Sequence, residues 1–186
     1  MMLDATREGA IFLLLYGIIP VWIAAGFADY CCHRAARIEK TSGTSESALH
    51  LVQFGLIGVP ILLGLFLRIN AGLLLFFMLC ILLHHAVAYF DIRRAADTRA
   101  VAPPEQMVHS FLEIAPLAAL ALIAALHWPQ TLALFASGAE PARFAPEFAP
   151  LPAPYIALVL GAAGLFNLVP YLEEFVRCVR HARSAA

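Results

Sequence analysis

The sequence predicts an all-α fold, a polytopic membrane bundle of five transmembrane helices with the N-terminus outside and the C-terminus cytoplasmic. Three observations predict it. The 186 residues are 62% hydrophobic and only 13% charged, with a mean hydropathy of +0.81, a composition outside the range of water-exposed globules. Five apolar stretches are each long enough to cross a hydrocarbon core of about 30 Å at roughly 1.5 Å per residue. The 12 Lys and Arg residues are also segregated between alternate loops.

The helices are expected over about 11–33, 46–67, 71–95, 105–126 and 154–178. In the first, the apolar run from Ile11 to Ala28 exceeds a usual signal-peptide core, and its leader carries Asp4 and Glu8 beside Arg7, so a retained helix is expected over a cleaved signal. The second and third are joined only by Arg68, Ile69 and Asn70, which predicts a tight antiparallel hairpin. The fourth and fifth are separated by a Pro- and Ala-rich loop over 128–153, with Pro129, Pro141, Pro146, Pro150 and Pro152. That composition favours extended or irregular backbone over a domain. Residues 1–186 therefore read as a single integral-membrane domain.

Arg34, Arg37, Lys40, Arg93, Arg94, Arg99, Arg177, Arg180 and Arg183 fall on one side of such a bundle, against Arg7, Arg68 and Arg143 on the other. Short positively charged loops stay in the cytoplasm, so the richer side is assigned there, in a bacterial-type inner (plasma) membrane. Nucleic acid is disfavoured as a partner, since the net charge is −1 and the basic clusters follow from topology. The four cysteines form no CxxC pair and read as small apolar packers.

Ionisable side chains at membrane depth cost about 2.5–3.5 kcal/mol on insertion scales, so each calls for a partner or a task. Asp29 and His33 stand four apart at the end of the first helix, and Glu46 and His50 four apart at the start of the second. His84 and Asp91 are seven apart on the third, with His85 on an adjoining face, and His109 and Glu113 four apart on the fourth. Each pair shares a helix face, and the predicted topology brings all four into one cytoplasmic layer. Four imidazoles and four carboxylates suit two divalent metal ions, with iron favoured and zinc or manganese also compatible. The expected ligands are thus Asp29, His33, Glu46, His50, His84, Asp91, His109 and Glu113, with His85 and Glu174 as further candidates.

The competing explanation is a layer of interfacial polar groups that cap helices and pair with neighbouring arginines. For Glu105 it is preferred, because Ala102-Pro103-Pro104-Glu105 reads as a helix start where an acid suits the dipole. Glu46 fits either explanation, and His50 tips it towards ligation. Glu174 could ligate a metal, accept from a ligating imidazole, or pair with Arg177 or Arg180. His127 and His181 are placed outside the site.

A cytoplasm-facing layer of His ligands that includes the His84-His85 doublet resembles the membrane diiron hydroxylases and desaturases, including the alkane hydroxylase and fatty-acid desaturase families. Those families carry HxxxH and HxxHH runs, of which only this doublet occurs here. The half-carboxylate ligand set is more similar to ferritin-like diiron proteins, without their ExxH spacing. The segment from Glu105 to Glu113 also looks like one found in bacterial membrane proteins. The diiron resemblance implies an oxidoreductase, a hydroxylase or desaturase, acting on a membrane lipid or lipid-like substrate and supplied by a cytoplasmic electron donor. The alternatives are a metal-dependent lipid hydrolase and a non-enzymatic metal-binding transporter or sensor.

Overall fold

The computed structural model describes residues 2–185, and helix is their only regular structure apart from one isolated antiparallel bridge between Leu67 and Phe148. Five helices are long and apolar enough to cross a membrane: Asp4–Ala36, Gly43–Phe66, Ala71–Thr98, Pro103–Leu126 and Ala153–Ala185, spans 1 to 5 below. Spans 1 and 5 have 33 residues each, about 50 Å of helix, so both run well beyond their apolar stretches. Large side chains such as Leu79, Leu82, Phe90, Leu158 and Leu165 are exposed on the outside of the bundle, the arrangement expected of a chain solvated by lipid.

Each long span contains a wide π turn, Leu13–Ile18 in span 1 and Gly164–Leu168 in span 5. A π turn upsets the regular carbonyl ladder, and at each of them a side chain of span 5 donates to a carbonyl of span 1. The Tyr155 hydroxyl donates to the Leu15 carbonyl at 2.7 Å, and Asn167 Nδ2 donates to the Ile23 carbonyl at 3.1 Å. The second contact depends on Gly26, where a Cβ would stand 2.0 Å from Asn167 Nδ2. Gly26→Ala is therefore expected to push span 5 off span 1 and to cost about 1–3 kcal/mol. The check is thermal unfolding in detergent, with Gly161→Ala as control, since nothing lies within 4 Å of a Cβ built there.

The expected hairpin is present. Asn70 caps span 3 by accepting from the Leu73 N–H at 3.0 Å, and its Nδ2 donates to the Ala145 carbonyl at 2.8 Å. The Pro-rich loop is ordered by the ends of spans 2 and 3: Arg68 N–H donates to the Glu147 carbonyl, Ala149 N–H to Phe66 and Leu151 N–H to Leu65, each at 2.9 Å. One part of this loop differs from expectation. Trp128–Leu134 is a short helix with Pro129 in its first turn, where a missing N–H costs nothing. Gln130 on this helix accepts from the backbone N–H groups of Ala71 and Arg143.

Span 1 packs on span 4, span 2 on span 3, and span 5 lies against spans 1 and 2. The apolar core between them is centred on Ile19, Trp22, Ile57, Leu65, Ile81 and Val159. Of the Phe-rich stretch in span 3, Leu74 and Phe77 face this interior, while Leu75 and Phe76 face outward. Cys80 and Cys178 are buried free thiols, while Cys31 is exposed.

Candidate metal centre

The antiparallel order brings the last turns of spans 1 and 3, the first turns of spans 2 and 4, and the second half of span 5 to one end of the bundle. Asp29, His33, Glu46, His50, Asp91, Glu105 and Glu174 are all buried there, with His33 and Glu174 at 0% exposure. His109 is partly buried beside them.

Glu174 organises the cluster. Its Oε2 lies 3.1 Å from His33 Nδ1 and its Oε1 lies 2.8 Å from His50 Nδ1. A carboxylate can only accept, so both imidazoles donate through Nδ1, and the two rings stack with centroids 4.2 Å apart and planes 8° from parallel. Two parallel rings tethered at the same atom turn their Nε2 atoms the same way.

Those Nε2 atoms meet oxygen. His33 Nε2 is 3.3 Å from Asp29 Oδ1 and 3.4 Å from Glu105 Oε1, and His50 Nε2 is 3.3 Å from Asp91 Oδ1. His109 Nε2 is 3.0 Å from the same Asp29 oxygen. Yet His33 Nε2, His50 Nε2, His109 Nε2, Asp29 Oδ1 and Asp91 Oδ1 are all buried without a hydrogen-bond partner. With Nδ1 already protonated, a neutral ring presents a lone pair at Nε2, so lone pairs of nitrogen and oxygen face one another at the spacing of a coordination shell. Donors bound at about 2.0–2.2 Å to one ion stand roughly 3–3.4 Å apart along an edge of its polyhedron.

Three sets of donors can each close on a single ion: Asp29, His33 and His50; His33, Glu105 and His109; and Glu46, His50 and Asp91. The first set shares His33 with the second and His50 with the third, so it joins two half-sites. Spans 1 and 4 supply Asp29, His33, Glu105 and His109, and spans 2 and 3 supply Glu46, His50 and Asp91. The stacked rings of His33 and His50, with centroids 4.2 Å apart, link the two half-sites.

Five buried carboxylates, Asp29, Glu46, Asp91, Glu105 and Glu174, face one guanidinium. Arg99 Nη2 is 2.6 Å from Glu46 Oε1, and its Nη1 is 2.9 Å from Glu105 Oε2. Burial opposes the charge on Arg99, but hydrogen bonds to Glu105 and Glu46 raise its pKa above the ordinary value. Four negative charges are then left beside three imidazoles, to be offset by bound cations or by protons on the rings.

Second-layer contacts hold the carboxylates. Gln53 Nε2 donates to Asp91 Oδ2 at 3.0 Å, and the Tyr171 hydroxyl reaches Asp29 Oδ2 at 3.4 Å. A cavity of about 30 Å³ adjoins them, lined by Asp29, His50, His84, Asp91, His109 and Glu113 among others. It has room for a molecule the size of water.

Of the expected ligands, the structure brings together Asp29, His33, Glu46, His50, Asp91 and His109. It leaves His84 and Glu113 on the wall of the small cavity, outside the three donor sets. His84 is buried with both ring nitrogens lacking a partner, so it is a polar group at the centre's edge. His85 donates from Nδ1 to the Ile81 carbonyl of its own helix at 2.8 Å. Glu174 is the acceptor shared by two imidazoles and lies outside the donor sets.

Glu105 requires a correction. It does occupy the first turn of span 4, but its side chain turns inward to His33 and Arg99. The signal was present in the spacing, because Glu105 and His109 repeat the Glu46-His50 interval; pairing His109 with Glu113 concealed it. Sequence reasoning also missed Arg99, Gln53 and Tyr171, which carry no motif. His127 lies at the far end of the bundle, where burial, and then the Arg7 cation, pull its pKa below that of an ordinary imidazole. In comparisons with known proteins, the chain matches no protein-family model, no curated protein and no solved structure.

Proposed function

We propose that this protein is a membrane metalloenzyme holding two divalent metal ions, iron favoured, at the cytoplasmic face, and that it is a diiron-type oxidoreductase, a hydroxylase or desaturase, acting on a lipid-like substrate. The observation that carries the reading is the pair of stacked imidazoles, His33 and His50. Both are tethered through Nδ1 to Glu174, and both present an unpartnered Nε2 to carboxylate oxygens at 3.3–3.4 Å.

Each half-site has a defined task. Asp29, His33, Glu105 and His109 hold one ion, and Glu46, His50 and Asp91 hold the other. Arg99 offsets surplus negative charge on Glu46 and Glu105, while Gln53 and Tyr171 fix the carboxylates of Asp91 and Asp29. The metal pair supplies activation of dioxygen, and oxidising a C–H bond to an alcohol consumes one dioxygen, two protons and two electrons from an external reductant. An electron donor with an acidic surface would meet the basic loops at this end, including Arg37, Arg93 and Arg180.

Trp22, Phe54 and Leu112 complete the wall of the small cavity, which has room for a water-sized reactant such as dioxygen. Transport is disfavoured by the interior beyond Trp22, which is lined almost wholly by aliphatic and aromatic side chains and offers an ion no polar path.

Metal analysis of the detergent-purified protein tests the reading. Two iron atoms per chain are expected, unchanged in His127→Ala and His181→Ala. Two zinc atoms would move the chemistry to hydrolysis. No metal after growth in iron- and zinc-replete medium would leave a charge network and refute the centre.

A further inference from the structure

A second, partly open cavity, of about 260 Å³, lies beyond the metal cluster and is lined mainly by spans 1 to 4. Its span 1 wall runs from Ile11 to Trp22 and its span 4 wall from Ala115 to Leu126. Each wall covers about 16 Å of helix. Trp22 lines this cavity and the small polar one alike, and its ring stacks on Phe54 at 5.9 Å, so the indole is a wall common to both.

The cavity is built by the sequence. Three backbone irregularities in three helices line it together: the π turn Leu13–Ile18, which contributes Leu14, Leu15 and Ile18; Pro60 within span 2; and Pro116 within span 4. π turns and interior prolines bend helices away from straight packing. Here they bow three spans around a common space that Gly64 and Ala119 leave unfilled. Apart from the Trp22 indole, the polar side chain on the wall is His127 at the far end. Such a lining cannot solvate an ion or hold ordered water.

We infer that this cavity binds a single unbranched hydrocarbon chain, oriented with its terminus against Trp22 and therefore beside the metal cluster. Walls about 16 Å long, an aliphatic lining and one polar contact at the distal end fit a chain with at most one polar head. The inference deepens the proposed function, and rests on it only for what then happens to the chain; binding itself needs no metal.

The test uses the full-length protein in detergent and a long-chain alcohol carrying a photoreactive diazirine near its methyl end. After irradiation, label is expected on inward-facing residues such as Ile81 and Ala115, near Trp22. Ala119→Trp, which fills the cavity, should reduce that labelling at least tenfold, and Leu82→Trp, on the lipid-facing surface, should leave it unchanged. Gly64→Leu provides a second filling variant should Ala119→Trp fail to fold, because a Cβ at Gly64 meets only the tip of the Phe77 ring at 3.8 Å. Label confined to outward-facing residues such as Leu79 and Leu82, or inward label indifferent to both filling variants, would overturn the inference. Metal content measured on the same samples keeps the two proposals apart. Normal metal with no inward label defeats only the chain site, and inward label without metal defeats only the metal centre.

Discussion

Replacing Glu174 with alanine is expected to weaken both proposed metal sites together, although Glu174 itself is proposed to bind neither ion. Its two oxygens hold His33 and His50 at 3.1 and 2.8 Å, and these rings belong to different half-sites. Without the acceptor, each imidazole loses its fixed tautomer and orientation. Loss of such a partner commonly weakens metal affinity about 10–100-fold, and here one substitution removes it from two ligands. Glu174→Gln should behave differently, because an amide has a single acceptor oxygen and can orient one imidazole but not both. Titration of the metal-stripped protein should therefore show two weakened sites in Glu174→Ala and one in Glu174→Gln. By contrast His33→Ala removes a ligand outright and should abolish binding at the half-site of spans 1 and 4. Equal retention of both ions in Glu174→Ala would mean that the bridge is only structural.

Arg99→Met should produce the largest change in stability, with a sign of metal dependence that a plain ion-pair network cannot show. The guanidinium is nearly inaccessible, at 5% exposure, between Glu46 and Glu105. Removing one partner of a buried charge group typically costs about 3–5 kcal/mol, because the remaining charge is left uncompensated. Two carboxylates would be stranded here. In metal-stripped protein the variant is therefore expected to unfold at markedly lower temperature than wild type. Divalent cations at Glu46 and Glu105, as proposed, would replace the lost positive charge, so saturating metal should recover most of the difference, by the usual linkage between binding and folding. Thermal unfolding in detergent with and without added iron or zinc checks this. A deficit that metal does not reduce would count against cations at these carboxylates.

The sequence by itself determined the number of long helices, the tight turn between spans 2 and 3 and the membrane-compatible composition. Each of these is local: hydropathy over some twenty residues, or the length of a connection, suffices to read it. It also determined that Asp29 and His33, and Glu46 and His50, share helix faces, since a spacing of four is a property of one helix. Which pairs meet across helices was settled only by the tertiary structure. Glu105 sits at a helix start in either account, and only the packing of span 4 on span 1 turns it to His33 and away from solvent. Glu174 has equally good local partners in Arg177 and Arg180, and only the contact of span 5 with both spans 1 and 2 gives it two imidazoles instead. His84 and Glu113 show the converse, because burial depth inferred from an apolar run fixes the cost of a polar group but not its direction around the helix axis. The interior cavity was likewise hidden: a π turn, Pro60 and Pro116 are separate irregularities along the chain, and become one feature only where three helices bow around the same space.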